Sequence, residues 1–514
     1  MQNNPQSNDV PQDNEQEQRS AREIAEDVVA RVLARSSSAL DDGGTRHSLA
    51  DGDQLELEER TALRRVSGLS TELEDVTEVE NRQLRLENVV LVGLYTRGTT
   101  LEAELSLREL AALADTAGSN VLDGVLQRRS APDPGTYLGS GKARELANIV
   151  AATGADTVVV DGELGASQRR GLEDIVKVKV IDRTALILDI FAQHAKSREG
   201  KAQVELAQLE YLLPRLRGWG ESMSRQAGGQ VGGAGAGMGS RGPGETKIEL
   251  DRRRIRDRIA KLRKDIEQMA PSRDTKRNSR KRHAIPAVAI AGYTNAGKSS
   301  LLNSLTGAGV LVENALFATL DPTVRRTKTP DGRLYTLADT VGFVRSLPHQ
   351  LVEAFRSTLE EVGDADLILH VVDASHPDPD GQIAAVREVL GEIDGVGDIP
   401  EIIVLNKADV ALAESVERVQ AHERNVFLVS AHTGQGIPEL LEFVANSLPR
   451  PTVTIDVTVP YDRGDLVNRV HLEGEIDHLE HLEQGTHIQG RVDGELASDL
   501  SQVAVTSEPT SSTT

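Results

Sequence analysis

Cysteine is absent from all 514 residues, which excludes disulfide bonds and thiol chemistry. Aromatic residues make up only 3%, too few for the stacking platforms that hold single-stranded bases. No apolar run reaches the roughly 20 residues that a membrane-spanning helix needs. The acidic, polar N-terminus lacks the apolar core of a signal peptide. Overall positive charge is lacking as well. Lys and Arg number 58 against 80 Asp and Glu, a net charge of −22. A general nucleic-acid coat, DNA included, does not fit that balance. The expectation is a soluble cytoplasmic chain with no integral membrane segment, long enough for two or three domains.

What is present is concentrated in short motifs at the ends of apolar runs. Ala287-Val288-Ala289-Ile290-Ala291 reads as a buried strand. Gly292-Tyr293-Thr294-Asn295-Ala296-Gly297-Lys298-Ser299 follows it, and Ser300-Leu301-Leu302 opens a helix. Strand, GxxxxGKS, helix is a phosphate loop in its proper context. Its backbone N–H groups and helix N-terminus would take phosphate oxygens. Lys298 would reach the β- and γ-phosphates, and the Ser299 hydroxyl would ligate Mg²⁺. The Asn295 oxygen would either coordinate a monovalent cation such as K⁺ or brace the loop.

Three further motifs select the base and the switch. Leu334 to Ala338 reads as a strand delivering Asp339-Thr340-Val341-Gly342, a DxxG whose Asp would hold the Mg²⁺ shell and whose Gly N–H would sense a γ-phosphate. Alone it is an ordinary turn; its spacing from the phosphate loop raises it. Ile402 to Leu405 ends in Asn406-Lys407-Ala408-Asp409. The Asp409 carboxylate would accept two hydrogen bonds from guanine, donors that adenine lacks. Val426 to Val429 ends in Ser430-Ala431, whose backbone would contact the guanine O6. The order matches strand ends along the carboxyl edge of a parallel sheet, and the nucleotide implied is GTP. Phe343 follows Gly342 where many GTPases carry a water-orienting Gln. Either Phe343 packs and another group holds the water, or turnover is slow until a partner completes the site.

Charge is uneven. Residues 1–81 carry 19 Asp/Glu against eight Arg and read as largely disordered. Within them Ile24, Val28, Val29, Val32 and Leu33 line one face of a helix over Ala21 to Ala34. That helix is either transient or docks on a partner or on the rest of the chain. From Arg215 to His283 the sign reverses, with 19 Lys/Arg against eight Asp/Glu, so the remaining residues carry −33. Phosphate backbone is the natural target of such a stripe, against the alternative of a solvated face with pairs such as Asp257–Lys261. Val204, Leu206, Leu209, Leu212, Leu213 and Leu216 recur at helical spacing, as do Ile248, Ile255, Ile259, Leu262 and Ile266. Two long helices would flank a Gly-rich tip from Arg225 to Gly244, either a passive linker or a loop that orders in an RNA crevice.

Elsewhere, strands at Val89–Val92, Thr157–Val160 and Val178–Ile181 alternate with helical patterns at Leu105–Thr116, Ala143–Ala152 and Ser167–Lys177. A small α/β domain with a partly parallel sheet is expected there. Gly139-Ser140-Gly141-Lys142 within it lacks phosphate-loop spacing and reads as a helix-start turn. After Pro451, Val453 to Val459 alternates as a strand, a helix follows at Asp465–Leu472, and Thr486–Val492 is a second strand. The dispersed histidines His478, His481 and His487 read as a solvated face.

GYTNAGKSSLLN at Gly292, Phe317-Ala318-Thr319-Leu320-Asp321-Pro322-Thr323 and DTVGFV at Asp339 together resemble the HflX family of translational GTPases. So do TYLGSGK at Thr136, KAQVELAQL at Lys201 and GSRGPGET at Gly239. The resemblance spans roughly residues 86–450. It implies that Thr319 contacts Mg²⁺ and the γ-phosphate, although Thr323 also fits on spacing. Phe317, Ala318, Leu320 and Asp321 would border the nucleotide. Lys298, Thr319 and Gly342 would carry hydrolysis, with Ser299 and Thr319 as metal ligands. It also implies a monomer that binds the large ribosomal subunit, with the 215–283 hairpin on ribosomal RNA and its tip toward the peptidyl-transferase region, and that splits stalled or idle ribosomes. A GTP-gated role in subunit assembly or RNA processing is the alternative, and a non-enzymatic RNA-binding scaffold a third.

The architecture expected is multidomain α/β. It comprises an acidic extension (1–85), an α/β domain (86–195), a basic helical hairpin (196–282) and a P-loop GTPase domain with a mostly parallel sheet and helices on both faces (283–450). A small α/β C-terminal domain (451–500) and a tail (501–514) complete it.

Overall fold

The computed structural model describes residues 29–30, 32, 88–96, 98–215, 250, 252–269, 285–307, 316–317, 323–345, 356–393 and 395–503. Thr319 with its neighbours Ala318, Leu320 and Asp321, the Gly-rich tip, nearly all of the acidic extension and the tail beyond Val503 lie outside them. The chain divides into two compact units, residues 1–193 with 208–258, and residues 194–207 with 259–514. No helix among the described residues is long and apolar enough to cross a membrane.

The first unit contains β1 (Asn88–Tyr95), α1 (Thr100–Thr116), β2 (Asn120–Arg128), α2 (Ser140–Thr153), β3 (Thr157–Asp161), α3 (Ala166–Val176), β4 (Lys179–Asp182) and α4 (Arg183–His194). The strands form one sheet in the order β2-β1-β3-β4. Every pairing is parallel, so the sheet is more uniform than the partly parallel one expected. A helix follows each strand and returns the chain to the same sheet edge, which makes parallel pairing the only simple outcome. Val90, Val92, Val158 and Val160 are buried beneath Leu146, Val150, Leu172 and Val176 of α2 and α3. Gly139 caps α2 with φ +91, so the GSGK segment is a helix start, and the Lys142 ammonium bonds Glu145 at 2.7 Å.

Helix α5 (Arg198–Arg215) and helix α6 (residues 252–269) flank the predicted tip. Val204 and Leu209 are buried on α5, as are Ile259 and Leu262 on α6. Leu212, expected on that apolar face, is 37% exposed. The buried face runs through Val204, Ala207 and Tyr211, and the next position turns about 100° away.

The second unit continues with β5 (Ala287–Gly292), α7 (Lys298–Thr306), β6 (Thr323–Lys328), β7 (Leu334–Asp339), α8 (Arg356–Gly363), β8 (Leu367–Asp373) and α9 (Pro379–Leu390). Next come β9 (Glu401–Asn406), α10 (Ala413–His422), β10 (Val426–Leu428) and α11 (Ile437–Ser447). The six strands run β10-β9-β8-β5-β7-β6, all parallel except the edge strand β6. Val288, Ile290, Leu369, Val371 and Val404 fill the centre under Leu301 and Leu302 of α7 and Leu440 and Val444 of α11. Strands covered on both faces need continuous apolar runs, which is why β5, β8 and β9 are so plain in sequence.

A three-stranded antiparallel sheet, β11 (Val453–Val459), β12 (Glu475–Leu482) and β13 (Gly485–Val492), follows in the order β11-β13-β12. Its core takes Leu466 and Val470 from α12 (Gly464–Glu473) and Leu496 and Leu500 from α13 (Gly494–Val503). The helix runs to Val503, past the expected start of the tail at Ser501, because Leu500 is 1% exposed. His487 bonds Asp456 at 2.7 Å and His481 bonds Thr486 at 3.1 Å. No metal-binding cluster of three or more His, Cys, Asp or Glu occurs among the described residues.

Candidate functional site

The phosphate loop leaves β5 at the centre of the six-stranded sheet. Gly292 has φ +153, and a Cβ there would collide with the Val371 carbonyl oxygen of β8. Gly297 has φ +91, and a Cβ there would strike the Asn406 amide. Both positions therefore exclude side chains for two reasons, handed backbone and contact. Asn295 is exposed in the left-handed region at φ +58. Lys298 opens α7 and is 7% exposed. Its Nζ donates to the Tyr293 carbonyl at 2.9 Å. Burial lowers the ammonium from 10.5 to about 8, with Asp339 acting in the opposite sense.

The DxxG segment sits directly on this loop. Ser299 Oγ donates to Asp339 Oδ2 at 2.7 Å. The Phe343 N–H bonds the Gly292 carbonyl at 3.1 Å, and the Thr294 N–H bonds the Phe343 carbonyl at 2.7 Å. Phe343 itself is 2% exposed, so its ring packs rather than facing a ligand. The Thr340 hydroxyl is spent on the Ile290 carbonyl at 2.8 Å. A Cβ on Gly342 would lie 3.0 Å from Lys298 Nζ, so the glycine keeps its backbone within reach of that ammonium. Phe317 is buried at φ +59, just before the residues that lie outside the description.

The third and fourth motifs lock onto each other. Asn406 ends β9; its Nδ2 donates to the Ala296 carbonyl at 2.8 Å and its Oδ1 accepts from the Ala431 N–H at 3.0 Å. Lys407 adopts φ +66 and bonds Asp373 Oδ2 at 2.6 Å. Ser430 Oγ donates to Asp409 Oδ1 at 2.6 Å and holds that carboxyl below its usual range. The Ala408 N–H bonds the Val429 carbonyl at 3.0 Å. Gly292 to Ser300, Asp339 to Gly342, Asn406 to Asp409 and Ser430–Ala431 are thus joined through these contacts at the carboxyl edge of the parallel strands.

Comparison with known proteins addresses the family. Residues 104–192 match the model described as GTP-binding GTPase N-terminal, and 194–280 the GTP-binding GTPase middle region. Residues 287–407 match the 50S ribosome-binding GTPase. GTPase HflX of Caldanaerobacter subterraneus is 44% identical over 414 residues, 80% of this chain and 93% of that protein. The chain belongs to the HflX GTPase family. GTPase HflX of Escherichia coli K12 is 43% identical over 389 residues, 75% of this chain and 88% of its own length. A GTP-binding protein from Sulfolobus solfataricus, solved with GDP, aligns with 26% identity and a TM-score of 0.37, over 70% of this chain and 98% of that one. As an HflX-family member with a P-loop GTPase fold, the protein binds GTP and hydrolyses it to GDP and phosphate.

Several contacts around these motifs, and the residues Arg345, Asp373 and Asp378, escaped the sequence reading, which named Tyr293 and Ser430 for the nucleotide only. The Tyr293 hydroxyl accepts the Arg345 N–H at 2.7 Å, tying the segment after DxxG to the phosphate loop. The Arg345 guanidinium pairs with Asp378, the N-cap of α9. Asp373 and the Ser430 hydroxyl set the guanine-side motif. Tyr293 occupies an unconstrained position of GxxxxGKS, and Arg345 lies just past its recognised neighbour, so pattern matching had no reason to stop at either. The strand-end position of Asp373 was the one available signal.

Proposed function

We propose that this GTPase acts on the large ribosomal subunit: its GTP state separates stalled or idle ribosomes, and hydrolysis releases it. The observation that carries this reading is the family match joined to the cationic surface of α6. Arg253, Arg254, Arg256, Lys261, Arg263 and Lys264 are all exposed there, a stripe suited to ribosomal RNA phosphate inside a chain of net −22.

In this reading residues 283–450 form the catalytic domain, and the protein works as a cytoplasmic monomer. Lys298 binds the β- and γ-phosphates, and the Gly342 N–H senses the γ-phosphate. Asp409 reads guanine N1 and the 2-amino group, while Ala431 contacts O6. The adjacent Ser299 and Asp339 oxygens suit a hard, oxygen-seeking cation, so Ser299, with Thr319, would hold Mg²⁺ beside the phosphates. Mg²⁺ supplies charge neutralisation on the transferring phosphoryl oxygens. Asn295, exposed at the loop, would either take K⁺ or brace the loop, and turnover measured in K⁺ against Na⁺ at equal ionic strength separates the two. Buried Phe343 does not orient water, so in this reading the ribosome completes the site, and turnover unaffected by large subunits would assign the water to another group of this chain. Unstimulated rates near about 10⁻⁴ s⁻¹ suit a site missing one component.

The test is a sucrose-gradient profile of intact ribosomes with protein and a non-hydrolysable GTP analogue. Conversion to free subunits is expected. Intact ribosomes with bound protein would favour the assembly role instead. Deleting Gly228–Gly237 should spare GTP binding and abolish splitting, and full splitting by that deletion removes the tip from the mechanism.

A further inference from the structure

The apolar stretch between Ala21 and Ala34 contains none of the GTP-motif residues and lies outside the basic 215–283 segment. Three of its residues are described: Val29, Ala30 and Val32 are helical. Val29 is 1% exposed and Val32 3%, whereas Ala30 is exposed. Positions three apart share a helix face, so the two valines make one ridge and Ala30 turns outward. A single helix has no interior, so such burial requires another surface.

Gly124 identifies that surface. It lies within β2, where a Cβ would sit 3.1 Å from Val32 Cγ2 and 3.5 Å from Leu91 Cβ of β1. Val32 therefore rests on bare backbone where the two strands pair. A glycine inside a strand commonly marks close approach by another segment. The same sheet face continues to Gly93, where a Cβ would lie 3.5 Å from Leu107 of α1. Helix α1 covers one part of this face, and the valine ridge sits at Gly124. All of these residues belong to one compact unit.

We propose that the β1–β2 face around Gly124 is a docking surface and that its occupant in the free protein is the chain's own amino-terminal segment, centred on Val29 and Val32. Isolated helices shorter than about 12–15 residues are marginal in water, so this one is held by its seat. Docking also pins to this unit an extension carrying 19 Asp/Glu against eight Arg through residue 81. The seat and its occupant lie in the first unit and include none of the GTP-motif residues, which lie in the second.

The test uses the full chain. Val29→Asp with Val32→Asp empties the seat, and a fluorescent peptide of residues 20–36 reports it. The peptide should bind the double variant at least about tenfold more tightly than it binds wild type, whose seat is filled in cis. Adding Gly124→Leu should abolish that binding. Gly124→Ala, which asks Val32 and the Leu91 carbonyl to yield by a few tenths of an ångström, serves if Leu prevents folding, and it should weaken binding. An unchanged far-UV circular dichroism spectrum and a retained cooperative melting transition certify the fold of this unit. Equal peptide binding to wild type and variant, or none to either, overturns the proposal. So does a wild-type dimer that the double variant abolishes, because the segment would then dock on a second copy.

Discussion

Lys298 should couple nucleotide binding to proton uptake. Its side chain is 7% exposed, and burial lowers the ammonium to about 8 from 10.5. Nucleotide phosphates place negative charge beside it, which restores the protonated form. At pH 8 about half of the nucleotide-free molecules lack the proton, so binding should take up about 0.5 proton, rising toward about 0.9 at pH 9. Affinity should be flat below pH 7 and fall roughly tenfold per pH unit above 8. The assay is calorimetry with a non-hydrolysable GTP analogue in two buffers of different ionisation heat. Phosphate second ionisations near about 6 are complete at these pH values and do not contribute. Stability carries the matching sign. Between pH 8 and 10.5 the unfolded chain holds a proton that the folded chain lacks, so nucleotide-free stability rises with pH there, and below 8 the full penalty is present. The gap from 10.5 to 8 corresponds to at most about 3 kcal/mol. Lys298→Met should therefore abolish nucleotide binding yet raise the nucleotide-free Tm at pH 7. Zero uptake at pH 9, or a Lys298→Met protein less stable than wild type, refutes the reasoning.

Three other perturbations probe different contacts. Asp409→Asn should shift preference from guanine to xanthine nucleotides, and retained GTP selectivity in competition binding contradicts the base assignment. Arg345→Ala or Asp378→Asn should lower kcat with little change in KM, because their ion pair holds the segment after Gly342, and the exchanged pair Arg345→Asp/Asp378→Arg should recover part of the loss. Burial pushes the Glu401 carboxyl up, but hydrogen bonds from His370 and Arg387 outweigh it and hold it at about 2. Its stabilisation is thus present above pH 4.5 and lost as pH falls toward 2. Glu401→Gln should cost roughly 1–2 kcal/mol at neutral pH after allowing for solvent, and an acid-melting curve unchanged by the variant counts against the network.

Apolar strands ending in fixed motifs were legible because both properties are local. Strands β5, β8 and β9 are buried on both sides, so their sequences are unbroken runs, and the chemistry begins where each run stops. Edge strands were not legible for the same reason in reverse. Thr323–Lys328 is mostly exposed and pairs on one side only, and Glu475–Leu482 is charged along its length. Edges blunted with charge lose the alternation that betrays a strand. The docked turn at Val29 and Val32 was half legible: its periodicity is visible, but its partner is a glycine, which announces nothing about what covers it.

The contacts that escaped pattern reading also change how the site works. Each motif alone looks like a separate reader of base, phosphate or nucleotide state. Asn406 removes that independence by bonding the Ala296 carbonyl and the Ala431 N–H with one side chain. The NKxD motif, the phosphate loop and Ser430–Ala431 are therefore one connected assembly, so a displacement at Ala431 is felt at Ala296 through a single side chain. The DxxG segment is attached through the Ser299–Asp339 and Thr340–Ile290 side-chain bonds, and beyond it through two backbone bonds at Phe343, the Tyr293 hydroxyl and the Arg345–Asp378 pair. The Asn406 clamp and the Thr340 hydroxyl bond are both buried. The physical division at this sheet edge is thus between motifs tied together by the buried Asn406 side chain and a DxxG segment tied partly through the Phe343 backbone.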